Sequence, residues 1–371
     1  MALDLEGRRV TLIGGAGFIG HHLALALRER GADVHVIDAL AVNNLGSHQA
    51  DDGDSPHRSM YLDMLSERLD LLRAAEIPVH VQDACDHDAL TSLLDAFRPT
   101  AVVHLAAVAH AQRAAHDPRA SFDNSVLTLQ NTLEWARGHT PHVVYFSSSL
   151  VYGRFRTTEV TEDARCEPVG VYGTHKYCGE RLVRAYHDTY GLPYTVIRTS
   201  ALYGERCVSR RVGQVFIESA LRGGELRIDG DGTSRLDFTY IGDLVDGTLR
   251  VLRSPAAHNQ TFNLTFGSSR SLSELVDVLI RHFPDLDVRY GPGDAATPER
   301  GTLAIDKARR LLGFEPRYPL EEGFISYIDW YRQRVEAHAT ESASPNDRVP
   351  GSGVVAGDER PSAGATAWPA S

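Results

Sequence analysis

Through about residue 200 the chain alternates short, unbroken apolar runs with longer stretches whose apolar positions recur every three to four residues. The runs Val10–Ile13, Val34–Ile37, Val79–Val81, Ala101–Leu105, Val143–Phe146 and Tyr194–Ile197 predict strands. Between them, Ile19–Glu29, Leu90–Phe97, Leu127–Ala136 and Tyr172–Thr189 carry helical spacing. This rhythm predicts an α/β fold with a Rossmann-type, doubly wound parallel sheet. The segment Val42–Pro56, rich in Asn, Gly, Ser, His and Asp, predicts a surface loop after the second strand.

Periodicity weakens after about residue 205. Small sheet pieces are expected around Ile228, Gln260–Leu264 and Val288–Tyr290, beside helices at Leu272–His282 and Leu320–Arg334. The expected division is a mainly nucleotide-binding domain over 1–204 and a smaller mixed α/β substrate lobe over 205–336, with some elements crossing between them. Residues 337–371, rich in Ala, Ser, Pro, Gly and Asp and without periodicity, predict a disordered tail. There is no internal repeat.

The 371 residues suffice for a substantial core, and 42% apolar with 23% charged residues is ordinary for a globular protein. A net charge of −11 disfavours nonspecific nucleic-acid binding. The four cysteines show neither metal-ligand spacing nor a disulfide framework, so no metal is expected and reduced thiols in a cytoplasm are. The sequence lacks a signal peptide's apolar segment and any membrane-length apolar stretch, so no membrane partner is expected.

Two motifs carry the chemistry. In Thr11-Leu12-Ile13-Gly14-Gly15-Ala16-Gly17-Phe18-Ile19-Gly20, an apolar strand runs through a glycine turn into a helix. Gly14 permits the tight turn, Gly17 lets backbone approach a pyrophosphate, and Gly20 lets the helix pack on its strand. The helix N-terminus then offers N–H groups to phosphates. Asp38 ends the second strand 18 residues after Gly20. Its carboxylate suits a ribose diol and repels a 2′-phosphate, which favours NAD over NADP.

The second motif is Tyr172 and Lys176, one helical turn apart, after the strand end Phe146-Ser147-Ser148-Ser149. A free tyrosine, with a pKa of about 10, is a poor base at neutral pH. A nearby ammonium favours its phenolate, and Lys176 can also bond the nicotinamide ribose. Ser148 can pass a proton between a substrate hydroxyl and Tyr172. Together the motifs predict a nicotinamide enzyme that works at an alcohol carbon.

These residues resemble the extended short-chain dehydrogenase/reductase family, in its NAD-dependent nucleotide-sugar epimerase and dehydratase branch. The likeness spans about residues 8–335. Beyond both motifs it rests on His104-Leu105-Ala106-Ala107, Ser148 through Gly153, Gly230-Asp231-Gly232 and Leu311 through Pro316. It implies NAD on the first lobe and a nucleoside diphosphate sugar, UDP-linked by its nearest pattern, on the second. It also implies that Asp83 meets the adenine amino group and Ala106 lines the cofactor, with Phe18 and Ile19 at the helix start. Read alone, Asp83 could instead cap the next helix. A homodimer is implied too, joined through helices around Ser121–Ala136 and Tyr172–Tyr190.

Sugar 4,6-dehydratases follow the residue matching Ser148 with Asp-Glu; this chain has Ser149-Leu150, and neither side chain is an acid. The resemblance therefore narrows to a 4-epimerase acting through a transient 4-keto sugar, closest in pattern to UDP-glucose and UDP-hexuronate epimerases. A UDP-hexuronate decarboxylase, an NDP-sugar ketoreductase and a non-catalytic NAD or NDP-sugar sensor are the alternatives. Two positions depart from the branch. Ala201 stands where many relatives have Asn, and Leu236 stands where an Arg usually meets the substrate's phosphates. Arg211, Arg235 and Arg113 are the expected substitutes, the last facing a uronate carboxylate.

Overall fold

A computed structural model describes residues 5–42, 44–46, 58–108, 111–293 and 299–343. Seven strands form one sheet: β1 (Arg9–Ile13), β2 (Asp33–Asp38), β3 (Val79–Val81), β4 (Ala101–His104), β5 (His142–Ser148), β6 (Tyr194–Thr199) and β7 (Gln260–Asn263). Their order is β7-β6-β5-β4-β1-β2-β3, and every neighbouring pair is parallel. The order reverses between β1 and β4. There the connections leave in opposite directions and open a crevice at the strands' C-terminal ends.

The continuous apolar runs follow from burial on both faces. Val103, Val144 and Phe146 enter one core with Leu12 and Val36, whereas Val102, Val143 and Tyr145 enter the other with Ile13 and Ile37. Alternate side chains on a strand point to opposite faces, so each face needs its own helices. Helix α1 (Phe18–Arg28) covers the first face beside Ile241–Arg253. Thr128–His139 and Gly170–Tyr190 cover the second. The expected helix over Leu127–Ala136 proves longer and irregular: Pro118–Phe122 runs through one π-helical turn, Asp123–Leu127, into Thr128–His139.

A second core joins Val212–Leu221, Leu272–His282 and Leu320–Ala343 with the parallel pair Glu225–Asp229 and Asp287–Gly291. Three features differ from expectation. Gln260–Asn263 is the edge strand of the main sheet, beside β6, and not part of the second lobe. Phe262 is fully buried there, in the same core as α1. Helix Arg58–Ala74, with weak apolar periodicity, puts Met60, Tyr61, Met64 and Leu65 into the second core and Leu72 into the first. The last helix runs on to Ala343, past the expected start of the tail at 337. Residues 344–371 and most of the expected 42–56 loop lie outside the described residues.

Candidate active site

β1 delivers the chain into the glycine turn at the crevice. Gly14 has φ +79°, and its N–H donates to Ile37 O at 2.8 Å. A Cβ at Gly14 would lie 2.7 Å from Ala106 N, so the two loops close together only without a side chain. A Cβ at Gly20 would lie 2.4 Å from Gly15 O, which explains why α1 can sit so close to the turn. Gly17 precedes α1 in extended backbone with no side-chain cap, leaving the helix start open to the cleft.

Both Asp38 oxygens accept backbone N–H bonds, Oδ2 from Ala16 at 2.9 Å and Oδ1 from Leu40 at 2.8 Å. Burial pushes this carboxyl up from its ordinary value, against the pull of those two bonds and of Arg68. The side chain thus ties the glycine turn to the end of β2 while lining the cleft, with lone pairs to spare for a diol. Gly14, Gly17, Phe18, Ile19, Gly20, Asp38, Asp83 and Ala106 all line this one cleft. Asp83 does not cap the next helix: its Oδ1 accepts from Cys85 N, and Asp86 caps His87–Phe97 through Ala89 N. A glycine floor that a side chain would fill, an uncapped helix start and a carboxylate at the second strand end fit a dinucleotide.

A larger cavity of about 730 Å³ adjoins it, with Ile19, Leu105, Ala107 and Arg211 common to both. Ser148, Tyr172 and Lys176 line this second cavity. The two serines ending β5 part ways. Ser147 Oγ donates to Glu180 Oε1 at 2.6 Å inside the protein. Ser148 Oγ accepts from Leu150 N at 3.2 Å, and its hydrogen bond to Tyr172 favours the phenolate. Burial is the largest influence on the Tyr172 phenol and pushes it up; the Arg211 charge is the next and pulls it down.

Lys176 lines the same cavity on the same helix as Tyr172. It is 4% exposed, its Nζ donates to Phe146 O at 2.8 Å, and burial pushes its pKa down to about 7. The charge that pulls the Tyr172 phenol down is that of Arg211. The geometry can therefore hold a sugar hydroxyl between Ser148 and Tyr172 and move its proton.

Two expected arginines lie elsewhere. Arg235 donates to Ser269 O at 2.6 Å and pairs with Glu274 at 3.2 Å, and it lines neither cavity. Its neighbour Leu236 faces the larger cavity in its place, because successive residues of the short strand Arg235–Leu236 point to opposite sides. Arg113 is exposed on Ala111–His116; Ala111, Gln112 and Ala115 of that helix line the cavity instead. Ala201 also lines it, with φ +30°. Sequence reasoning missed two arginines. Arg300 lines the larger cavity with its pKa pushed down to about 10 by burial, and Arg68 lines the dinucleotide cleft. Arg68 sits in no motif; Arg300 opens Arg300-Gly301-Thr302-Leu303, a segment that resembles UDP-hexuronate epimerases without marking the arginine as a site residue. Among the described residues, no group of three His, Cys, Asp or Glu could hold a metal ion, and no helix is long and apolar enough to cross a membrane.

Residues 10–265 match the model of the NAD dependent epimerase/dehydratase family. The chain belongs to this family. Among its relatives, UDP-glucuronate 4-epimerase 1 of Arabidopsis thaliana is 30% identical over 349 residues, covering 88% of this chain and 77% of the relative. A putative UDP-glucose 4-epimerase of Methanocaldococcus jannaschii is 29% identical over 333 residues, covering 87% and 98%. The crystal structure of Thermotoga maritima UDP-glucose 4-epimerase with UDP-glucose superposes with a TM-score of 0.76 at 26% identity, covering 88% of this chain and 100% of that one. MoeE5 in complex with UDP-glucuronic acid and NAD gives a TM-score of 0.74 at 26% identity, covering 88% and 99%.

Proposed function

We propose that this family member inverts C4 of a UDP-linked hexose or hexuronate, using NAD and passing through a 4-keto sugar. The observation that carries the reading is the meeting of the two cavities: Ser148 and Tyr172 line the larger one where it adjoins a cleft built for a dinucleotide. Gly14, Gly17, Phe18, Ile19, Gly20, Asp38, Asp83 and Ala106 would hold NAD, with Lys176 at the nicotinamide ribose. Bound NAD supplies reversible hydride acceptance at the sugar carbon.

The chain's own residues supply the proton chemistry. Tyr172 takes the C4 hydroxyl proton directly or through Ser148, and returns it when the hydroxyl is restored. Arg211 favours the phenolate during the first half of the cycle. Arg300, with Arg211, offers positive charge to the substrate's diphosphate where Leu236 offers none. The absence of an acid at Ser149 and Leu150 leaves nothing to eliminate water across C5 and C6. A sensor would need no proton relay, so an intact Ser148–Tyr172 pair speaks for an enzyme.

Separate incubations with UDP-glucose, UDP-galactose and the two corresponding uronates test this. C4 inversion at constant mass and constant reduced-cofactor absorbance is expected with at least one of them. Loss of CO2 would indicate a decarboxylase, and stoichiometric consumption of reduced cofactor a ketoreductase. Turnover only of some other NDP-sugar would overturn the substrate class.

We also propose a homodimer through Pro118–His139 and Gly170–Tyr190. Phe122 is 44% and Tyr190 47% exposed on these helices, more apolar surface than a lone helix face needs. A dilute-solution monomer with full activity in light scattering would contradict it.

A further inference from the structure

Arg68 is buried, with 1% exposure, and among the described residues no carboxylate pairs with it. It stands on helix Arg58–Ala74, the helix that reaches both cores. Its Nε donates to Arg206 O at 3.1 Å, and its Nη2 donates to the same oxygen. Its Nη1 is buried and has no partner among the described residues. Arg68 lines the dinucleotide cleft with Asp38, Gly17 and Phe18.

The surroundings are short of negative charge. Arg206 donates to His21 Nε2 at 3.0 Å, and its own carboxylate partner, Glu67, also pairs with Arg334. Burial is the main cause of low pKa values at His21 and His22, and the charges of Arg68 and Arg206 lower both further. Asp38 is the acid that acts on Arg68 from the cleft, without a hydrogen bond between the two side chains among the described residues. A buried N–H donor that carries positive charge and faces a cleft is completed by an anionic acceptor.

We propose that Arg68 contacts the cofactor, its free Nη1 taking a pyrophosphate oxygen of the dinucleotide while its other nitrogens fasten the Arg206 loop of the second lobe to the occupied cleft. The inference rests on the NAD reading above and adds a residue that neither the glycine turn nor the family motifs mark. The pyrophosphate is chosen over a 2′-phosphate because the Asp38 carboxylate in the same cleft repels the latter.

The full chain and its Arg68→Met variant are titrated calorimetrically with NAD, ADP-ribose, NADP and adenosine. Met keeps the apolar stem and removes only the donors. The expected result is a loss of NAD and ADP-ribose affinity on the order of tenfold or more, with adenosine affinity unchanged. Unchanged NAD affinity overturns the proposal, as does a loss confined to NADP or equal for adenosine and NAD. If the variant misfolds, hydrogen exchange of the wild-type chain decides. NAD should slow exchange over residues 58–74 and 205–209 and adenosine should not; equal exchange overturns the proposal. A wild-type chain that binds no NAD would instead sink the functional reading itself.

Discussion

Glu180 and Arg198 form a two-pronged ion pair inside the protein, with Nε to Oε1 at 2.9 Å and Nη2 to Oε2 at 2.7 Å. Their side chains are 0% and 2% exposed. The pair fixes helix Gly170–Tyr190, which carries Tyr172 and Lys176, to the ends of β5 and β6, and Ser147 Oγ shares the same carboxylate. Removing one partner leaves the other charged and buried. Glu180→Gln should therefore lower unfolding stability by about 3–5 kcal/mol. Replacing both by Glu180→Leu and Arg198→Met should restore part of that loss. Denaturant unfolding checks both, and a neutral Glu180→Gln would contradict the account.

His104 ends β4 with its two ring nitrogens 3.3 Å from Thr128 Oγ1 and Thr132 Oγ1. Burial pushes its pKa down to about 3. Between that value and the ordinary histidine range, the unfolded chain binds a proton that the folded chain does not. Stability therefore falls as the pH drops below about 6.5, by about 2 kcal/mol from this residue at pH 5. His104→Asn should remove that share of the pH dependence, measured as unfolding free energy at pH 7 and pH 5. Equal slopes in both proteins would contradict the assignment.

Asp38→Asn keeps the shape of the side chain but offers one carbonyl oxygen where Ala16 N and Leu40 N now have two. NAD affinity should fall, and discrimination against NADP should shrink with the lost charge. Titration of both cofactors reads this directly. Unchanged preference would remove Asp38 from the ribose site.

Much of this was legible in the chain itself, for physical reasons. Strands covered on both faces write unbroken apolar runs, and a turn that admits no side chain must write glycine, so β1 to β6 and Gly14, Gly17 and Gly20 stand out. Helix Arg58–Ala74 does not, because it serves two cores and presents no single apolar stripe. Its Arg68 gives no local signal for the same reason. Gln260–Asn263 reads as a small-lobe strand because chain order suggests it; only packing shows its place beside β6. The influence of Arg211 on Tyr172 is likewise a tertiary fact. Residues 39 apart carry no spacing rule.

That influence makes a prediction. Arg211→Gln removes a positive charge that favours the Tyr172 phenolate, so the acidic limb of the kcat/KM profile should move to higher pH. Tyr172→Phe should keep fold and bound NAD while turnover falls by roughly 10²–10⁴. An unmoved limb in Arg211→Gln would contradict that influence.

The most direct measurement follows the C4 hydrogen. A UDP-hexose or UDP-hexuronate carrying deuterium at C4 is converted by the wild-type chain in ordinary water, and the product is read by NMR. An internal oxidation and reduction predicts inversion at C4 with deuterium kept on that carbon, and no conversion by Tyr172→Phe on the same timescale. Deuterium lost to solvent, or a product still in the starting C4 configuration, would contradict the account.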